Sequence, residues 1–197
     1  SPTGGDFSEP VTENTRRCVN VFLGLDRKLA YSRHYPAINW LSSYSNYIEK
    51  IRAYYEERLG KDIIAIRNEL MNVLLEEDEV RSIMMLVGED ALSNSQKNIL
   101  DVSGLIRNGF LQQNAYNDID KYVPLEKQVK MLDIIYNYYQ KSKAAISDGL
   151  SHKAIFDPNL INEITQMKYN IKNDELDNFI DLNSKINNHF VSVKEGL

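Results

Sequence analysis

The sequence is poor in the residues that build disulfides and metal sites. Cys18 is the single cysteine among 197 residues, so an internal disulfide and a zinc site built on several thiolates are both excluded. We interpret Cys18 as a buried, unreactive thiol. The three histidines, His34, His152 and His189, lack neighbours at metal-ligand or catalytic-triad spacing, and we interpret each as structural or solvent-exposed.

Long hydrophobic runs and an excess of positive charge are also missing. The longest apolar stretches, such as residues 83–87, are far too short to cross a bilayer, and no signal peptide opens the chain. We therefore expect a soluble, intracellular protein without direct membrane insertion. Lys and Arg number 23 against 28 Asp and Glu, a net charge of -5, and no basic cluster suggests a nucleic-acid partner.

A phosphate-binding loop and a catalytic constellation are absent as well. A P-loop needs Gly-x-x-x-x-Gly-Lys-Ser/Thr, because backbone N–H groups and a lysine must surround the phosphates. Gly4-Gly5-Asp6 has neither the lysine nor the spacing, and Gly60-Lys61 joins two predicted helices. The acidic run Glu76 to Glu79 is better explained as a solvated helix start than as a cation site. We predict no catalytic and no metal-binding residue in this chain.

The residues that are present predict a mainly helical protein. Hydrophobic residues make up 43% of the chain and charged residues 26%, enough for one sizeable core or two small ones. The chain opens on Ser1-Pro2-Thr3 without a methionine, from which we expect a fragment of a longer polypeptide.

The first 43 residues carry many turn-forming residues. Residues 1–12 predict a loop, and residues 15–23 are compatible with either a strand or a helix on periodicity alone. Asp26 is expected to cap a short helix. That helix should end near His34, because Pro36 lacks a backbone N–H and pushes Tyr35 towards extended geometry.

Residues 44–197 carry apolar residues at three- and four-residue spacing and predict a bundle of helices. Gly60, Gly88 and Gly149 end three of them, and Ser93 with Gln96 forms a capping box. The polar residues 112–123 predict a loop. The predicted helical segments are 44–59, 62–74, 80–87, 93–110, 124–148, one beginning at Asp157, and about 174–194.

Several uncommon motifs occur in one order and at one family's spacing. They are GGDFSEPVT at residues 4–12, FLGLD at 22–26, RHYPAINWL at 33–41 with SYS at 43–45, and FLQQNAY at 110–116. Through them the chain closely resembles the catalytic A subunit of V-type and A-type ATP synthases, strongly over residues 1 to about 140. The resemblance makes residues 15–23 a strand. It implies the edge of an α/β nucleotide-binding domain at residues 1–43, followed by a C-terminal helical domain at 44–197.

The same resemblance implies a role for two tyrosines. In this family and in related F-type subunits, the aromatics at the positions of Tyr35 and Tyr116 sandwich the adenine ring of ATP or ADP, whose phosphates and Mg²⁺ are held by upstream residues. The family usually has Phe at both positions. Tyrosine keeps the flat stacking face and adds a hydroxyl that needs solvent or a partner. Without the motif, Tyr35 and Trp40 would be interpreted as aromatics covering a domain junction.

The turn GEDALSNS at residues 88–95 resembles the acidic helix-turn-helix tip with which F-type catalytic subunits press on the rotating central shaft. It keeps Asp-x-Leu-Ser and replaces the later acids by Asn94, Ser95 and Gln96. An ordinary helical hairpin is the alternative. The shaft-contact residues that the resemblance implies are Glu89, Asp90, Leu92, Ser93 and Asn94.

The resemblance as a whole implies part of the catalytic subunit of a rotary ATP synthase that couples ATP hydrolysis or synthesis to H⁺ or Na⁺ transport. Its partners would be the central shaft subunits and the B subunit, and it would lie in the cytoplasm, peripheral to the membrane. Because the P-loop is absent, we expect the 197-residue chain alone to be inactive and to bind no nucleotide tightly. The alternative is a free-standing all-α interaction module without nucleotide binding, which nucleotide-dependent assembly with a B subunit would distinguish.

Overall fold

The structure is a computed structural model that describes residues 10–195, apart from the side chains of residues 11, 12 and 16. The predicted loop over residues 1–9 and most of the first motif lie outside the described residues. The chain divides into two compact units, Ser1–Ala65 and Ile66–Leu197. Because β2 continues to Ser45, it crosses the predicted domain boundary after residue 43, and that boundary stays a prediction.

The first unit carries a two-stranded antiparallel sheet and short helices. Val21 lies opposite Ser45 and Leu25 opposite Ile38, with an irregularity between Phe22 and Gly24. Gly24 permits this close pairing, because a Cβ at that position would overlap Ser42 Oγ. The elements are α1 (Pro10–Cys18), β1 (Val21–Leu25), α2 (Arg27–Tyr31), β2 (Ile38–Ser45), a 3₁₀ turn (Glu49–Ile51) and α3 (Arg52–Leu59).

Tyr44 belongs to this sheet, so the helix predicted over residues 44–59 is wrong in its first half. The Tyr44 ring stacks on Phe22 with centroids 5.9 Å apart, and α3 begins only at Arg52. Apolar residues at three- and four-residue spacing favour a helix over a strand. The pairing that decides between the two comes from a strand remote in sequence, which local periodicity does not report.

Three other predictions for the first unit need correction. Residues 10–12 form the first turn of α1 and not a loop, because a proline at the first helical position loses no intrahelical hydrogen bond. Residues 15–18 are helical, and the strand begins at Val21. Cys18 is exposed and not buried, since every described side chain of α1 lies at the surface.

The second unit is a bundle in which α6 is the central helix. Helix α6 packs against α5, α7, α8 and α9. The elements are α4 (Ile63–Val87), which begins at the end of the first unit, a 3₁₀ turn (Glu89–Ala91), α5 (Asn94–Gly104), a π-helix (Leu105–Leu111), α6 (Leu125–Ser147), α7 (His152–Ile155), α8 (Pro158–Asn170) and α9 (Asn178–Glu195). Aliphatic side chains with no exposed surface come from each long helix: Val73, Val102, Ile135, Ile164 and Ile186.

The predicted helix ends are confirmed where they depend on local chemistry. Ser93 Oγ accepts a hydrogen bond from Gln96 N at 3.2 Å, and Gln96 Oε1 accepts one from Ser93 N at 2.9 Å. Gly88 and Gly149 follow α4 and α6 with φ of 83° and 96°, which glycine adopts without strain. Asp157 caps α8 through Asn159 N at 2.8 Å.

Several elements of the second unit differ from the prediction. The segments 62–74 and 80–87 form one helix, α4, through the acidic run. Helix α9 begins at Asn178, because residues 175–180 form turns of i to i+3 hydrogen bonds before the helix settles. The short α7 and the π-helix were not predicted. Over residues 10–195, no helix is both long and apolar enough to cross a membrane. The expected mainly α fold is confirmed.

Candidate functional site

Asp26 fixes the loop that precedes Tyr35. Its Oδ1 accepts hydrogen bonds from Lys28 N at 2.7 Å and Leu29 N at 3.4 Å, which confirms the predicted N-cap of α2. Its Oδ2 accepts one from Asn39 Nδ2 at 3.0 Å. The Asn39 hydrogen bond is the largest effect on the Asp26 carboxyl, whose pKa lies below its ordinary value. Asp26 therefore joins the start of α2 to the start of β2.

Tyr35 lies on the bend between α2 and β2, with 54% of its surface exposed. The Tyr35 hydroxyl donates to Ala30 O at 3.4 Å. Next to it, His34 is buried, and its ring tilts against Trp40 with centroids 5.7 Å apart. Arg33 takes a positive φ of 58°. The bend thus has a packed inner side, His34 with Trp40, and presents Tyr35 outward.

Tyr116 lies on the polar loop that follows the π-helix, and its side chain is 99% exposed. The loop is closed by its own side chains. Asn114 Oδ1 accepts from Tyr116 N at 3.0 Å, and Asp120 Oδ2 accepts from Asn114 N at 2.6 Å. Asn117 Oδ1 accepts from Ile119 N and Asp120 N at 2.9 and 3.0 Å. The predicted loop is confirmed, and its backbone is held in successive Asx turns while the ring stays in solvent.

Two buried lysines lie against this loop, and sequence reasoning missed both. Lys168 Nζ donates to Asn108 O and Gln112 O, each at 2.6 Å, where the loop begins. Lys127 Nζ donates to Lys168 O at 3.0 Å and Asn173 Oδ1 at 3.1 Å. A signal for both was present, because each continues the i, i+4 phase of apolar neighbours: Leu160 and Ile164 for Lys168, Met131 and Ile135 for Lys127.

Burial shifts the pKa of both lysines. Removal from water lowers the pKa of both Lys127 and Lys168, and the negative charge of Asp120 partly opposes that shift. Asp120 is itself buried.

The predicted shaft-contact residues occupy different positions in the hairpin between α4 and α5. Glu89 and Asp90 are exposed on the 3₁₀ turn. Leu92 is buried, Ser93 caps α5, and Asn94 Oδ1 accepts a hydrogen bond from His152 N at 3.0 Å. The two acids are therefore the members of the set whose side chains lie outward without a role in capping or packing the hairpin.

The end of α4 adds an apolar surface that sequence reasoning missed. Met85, Leu86 and Val87 are all largely exposed, Leu86 to 85%. We call these three residues the apolar tip. The signal was the uninterrupted run of residues 83–87, which is longer than one buried helix face can accommodate.

The acidic run lies inside α4 and not at a helix start; Glu76, Asp78 and Glu79 are exposed as expected, whereas Glu77 forms a buried ion pair. Glu77 is buried, and its Oε1 lies 2.6 Å from Arg81 Nε and 3.0 Å from Arg107 Nη1. Arg107 belongs to the π-helix, and burial lowers the pKa of its guanidinium. The pairing explains why α4 continues through four acidic residues: the carboxylate that would repel its neighbours inside the bundle has two cationic partners.

The histidines have structural partners. His152 Nε2 lies 2.6 Å from Asp101 Oδ2, and burial raises the pKa of Asp101 while His152 opposes that effect. His189 Nε2 lies 2.8 Å from Ile155 O. Among the residues that the structure describes, no group of three or more His, Cys, Asp and Glu side chains is placed to hold a metal ion.

Two family models match parts of the chain. The model of a family described as the C-terminal domain of V and A type ATP synthase matches residues 52–155, more than half of the chain. The chain belongs to the V/A-type ATP synthase family. A second model, the nucleotide-binding domain of the ATP synthase alpha/beta family, matches residues 1–45. The family inferred from the motifs is thus confirmed.

Individual V/A-type relatives match nearly the whole chain. A V-type ATP synthase alpha chain 2 of Clostridium tetani is 46% identical over 99% of this chain and 33% of its own length. The A subunit of an A-type ATP synthase from Hyperthermus butylicus is 45% identical over 90% of this chain and 30% of its own length. The chain therefore spans about one third of the length of these curated relatives.

A solved structure supports the fold. An ATP synthase subunit from Nanoarcheaum equitans superimposes with a TM-score of 0.57 at 24% identity, over 70% of this chain and 34% of that one. At this identity the likeness concerns the fold of the V/A-type chain and not its activity.

Proposed function

We propose that this V/A-type chain forms part of the catalytic subunit of a rotary ATP synthase that couples ATP synthesis or hydrolysis to H⁺ or Na⁺ transport. Its two tyrosines bind the base of ATP or ADP, and its helical domain contacts the central shaft. In the complex the chain lies in the cytoplasm, peripheral to the membrane, and assembles with the B subunit. The relatives' names and the nucleotide-binding family match support this assignment.

The observation that carries the proposal is the exposure of Tyr116 on a loop whose backbone is held by Asx turns on both sides of that residue. An aromatic ring left in water gives up the free energy of burial, and a flat exposed ring fits the face of a base. Tyr35 is presented in a similar way from its bend. Each hydroxyl is compatible with stacking, because Tyr35 donates within its own bend and Tyr116 reaches solvent.

The residues of this chain fit the base of the nucleotide and not its phosphates. When bound, ATP with Mg²⁺ supplies the phosphoanhydride chemistry. Stacking supplies affinity and orientation, and the chain lacks the P-loop pattern that would hold the phosphates. We therefore propose that the catalytic groups belong to the region of the full-length subunit that corresponds to the parts of the relatives not spanned by this chain. The 197-residue chain alone is expected to show no ATP turnover above that of buffer.

The hairpin supports the proposed shaft contact through both shape and charge. The apolar tip lies directly before the exposed acids Glu89 and Asp90. Exposed apolar residues rimmed by charge are typical of protein interaction surfaces. The partner surface that fits is apolar with a basic rim.

Substitution of the two tyrosines in the full-length protein, assembled with its partners, tests the base contact. Tyr35→Ala and Tyr116→Ala should each weaken nucleotide binding by about 1 to 3 kcal/mol, because a stacking face is lost. Tyr→Phe at either position should change little, since the face remains. Titration with a fluorescent adenine nucleotide gives the Kd.

Matched controls exist in the same segments. Tyr31 at the end of α2 and Tyr122 in the Tyr116 loop are exposed tyrosines outside the family positions. Tyr31→Ala and Tyr122→Ala should leave the Kd unchanged. An unchanged Kd in both Tyr35→Ala and Tyr116→Ala would rule out the base contact.

A further inference from the structure

Lys168 ties the start of the Tyr116 loop to α8. Its ammonium donates to Asn108 O in the π-helix and to Gln112 O, the first loop residue, each at 2.6 Å. These carbonyls end a helix and have no partners within it, so a buried cation is well placed to satisfy them. The two bonds fix the direction in which the chain leaves the π-helix.

Lys127 and Asn173 tie the other end of the loop. Lys127 Nζ donates to Asn173 Oδ1 at 3.1 Å, and Asn173 Nδ2 donates to Ile119 O at 3.1 Å and Tyr122 O at 2.9 Å. Lys127 also donates to Lys168 O at 3.0 Å, which joins the two ties into one network. Residues on both sides of Tyr116 are therefore held from the same buried cluster.

Asp120 holds the middle of the loop. It is 2% exposed, accepts from Asn114 N at 2.6 Å through Oδ2, and its own carbonyl accepts from Gln113 Nε2 at 2.8 Å. One buried carboxylate thus accompanies two buried lysines. We call Asp120, Lys127, Lys168 and Asn173 the loop clamp.

The loop clamp places charged and polar side chains in a helical core, where their desolvation is unfavourable for stability. Buried ammonium groups are desolvated, and apolar side chains of the same volume usually stabilise a bundle as well or better. What a fully bonded polar network provides in addition is a defined position for the backbone to which it bonds. The segment positioned here is the one that carries the 99% exposed Tyr116.

We propose that Lys168, Lys127, Asp120 and Asn173 are positioning residues that hold the loop at 112–123 in its binding conformation before a nucleotide arrives. The inference rests on the proposed base contact of Tyr116. Nucleotide binding then orders no loop, and the affinity for the base depends on side chains that never touch it.

Amide hydrogen exchange tests the ordering step in the full-length protein without nucleotide. Lys168→Met keeps the aliphatic stem and removes the ammonium, and Asn173→Ala removes two loop bonds and one acceptor of Lys127 while leaving both lysines in place. Each should raise exchange over residues 113–122 by about tenfold or more and leave the centre of α6 protected. Lys172→Met, an exposed lysine close by, is the matched control and should change nothing. Unchanged loop exchange in both clamp variants would overturn the proposal.

Binding of ADP and of inorganic tripolyphosphate to the assembled complex tests the consequence. Positioning predicts that Lys168→Met and Asn173→Ala weaken ADP roughly fivefold or more and leave tripolyphosphate unchanged, because only the base reaches the loop. Adding Tyr116→Ala to either variant should cause no further loss, since the ring is already misplaced. Equal weakening of both ligands, or faster loop exchange with unchanged ADP affinity, would overturn the positioning role.

The two proposals fail in different ways. If Tyr116→Ala leaves the ADP affinity unchanged, the base contact fails. The exchange experiment still shows whether the loop clamp orders the loop. If Tyr116→Ala weakens ADP and the clamp variants do not, only the positioning role fails.

Discussion

Tyr35 and Tyr116 combine an exposed ring with a hydrogen-bonded backbone. Tyr138 does the reverse: it is buried at the centre of α6, where desolvation strongly raises the pKa of its hydroxyl. Exposure of a large ring on a fixed loop favours ligand contact over core packing. The relevant property at the residue scale is therefore the combination of a segment held by hydrogen bonds with an exposed aromatic ring.

The carboxyl of Asp26 offers a test of the bend that carries Tyr35. Its pKa lies below the ordinary 3.8, chiefly through Asn39, so the ionised group adds stability at pH values above the unfolded pKa. That stability is lost as the pH falls through the lower, folded pKa. We expect Asn39→Ala to raise the Asp26 pKa towards 3.8 and to shrink the acid dependence of stability.

Carboxyl carbon-13 NMR through an acid titration measures this pKa directly. Asn20→Ala is the control, because the Asn20 side chain bonds Tyr47 in the same unit. An Asp26 pKa that stays low in Asn39→Ala would assign the shift to the backbone bonds of Lys28 and Leu29 instead.

Residue identity predicted the caps and missed the buried charges for one physical reason. Asp26 and Ser93 bond groups within three residues, so their partners are visible in the local sequence. Lys127 bonds carbonyls more than 40 residues away. Periodicity places both lysines on the apolar faces of their helices. Only the folded structure shows that hydrogen-bond acceptors lie next to them.

At the scale of elements, Glu77 joins α4 to the π-helix. The carboxylate lies between Arg81 on its own helix and Arg107 across the interface. The π-helix leads directly into the Tyr116 loop, so this ion pair links the helix ending in the apolar tip to the segment before the loop. Helical periodicity predicted helical segments on both sides of the acidic run and a helix over residues 93–110, and it could not show this link, because an acidic run usually marks a solvated face.

Glu77→Gln should destabilise the second unit by about 1 to 3 kcal/mol, because it leaves the half-buried Arg107 without its counter-charge. The neighbouring Glu76→Gln is the control, since Glu76 is exposed and should change stability by less than about 0.5 kcal/mol. Urea unfolding followed by circular dichroism gives both free energies. Equal losses in the two variants would mean that the ion pair adds nothing to stability.

Element types were more predictable than element limits. Glycines, prolines and capping boxes end helices through local geometry, so α6 and α8 were predicted closely. The last two residues of β2, Tyr44 and Ser45, were assigned to a helix because the hydrogen bonds of the strand go to β1, which is remote in sequence. The same holds for the candidate site. The motifs predicted the two tyrosines, whereas the loop clamp and the apolar tip became visible only in the folded structure.

For the whole molecule, the proposed function requires that nucleotide binding change the position of the hairpin. Packed helices shift as rigid bodies between discrete arrangements, and interiors deform little. Helix α6 packs against α5, α7, α8 and α9, and Glu77 of α4 pairs with Arg107 of the π-helix, so α4 and α5 should move together with the rest of the bundle. The hairpin would then transmit the motion to the shaft.

Crosslinking in the assembled complex tests the shaft contact. Cys18 is exposed and must first be replaced, so Glu89→Cys is made in a Cys18→Ser background. We expect a thiol-reactive crosslinker attached at position 89 to join the hairpin to the central shaft, preferentially at one of the catalytic positions, because the proposed rotary function requires those positions to differ in conformation. Crosslinks only to neighbouring A or B subunits would assign the hairpin to assembly.

The apolar tip supplies the functional half of this test. Leu86→Ser should reduce ATP-driven ion transport while the nucleotide Kd stays unchanged, because the tip lies outside the proposed base contacts. Leu75→Ser is the matched control: Leu75 is an exposed leucine on the same helix, three turns before the tip, and its replacement should leave transport intact. Neither change should unfold the bundle, since both side chains are more than half exposed. If Leu86→Ser kept full ion transport, the apolar tip would have no role in transmitting torque. If Leu75→Ser lost as much ion transport as Leu86→Ser, the contact would extend along the whole of α4.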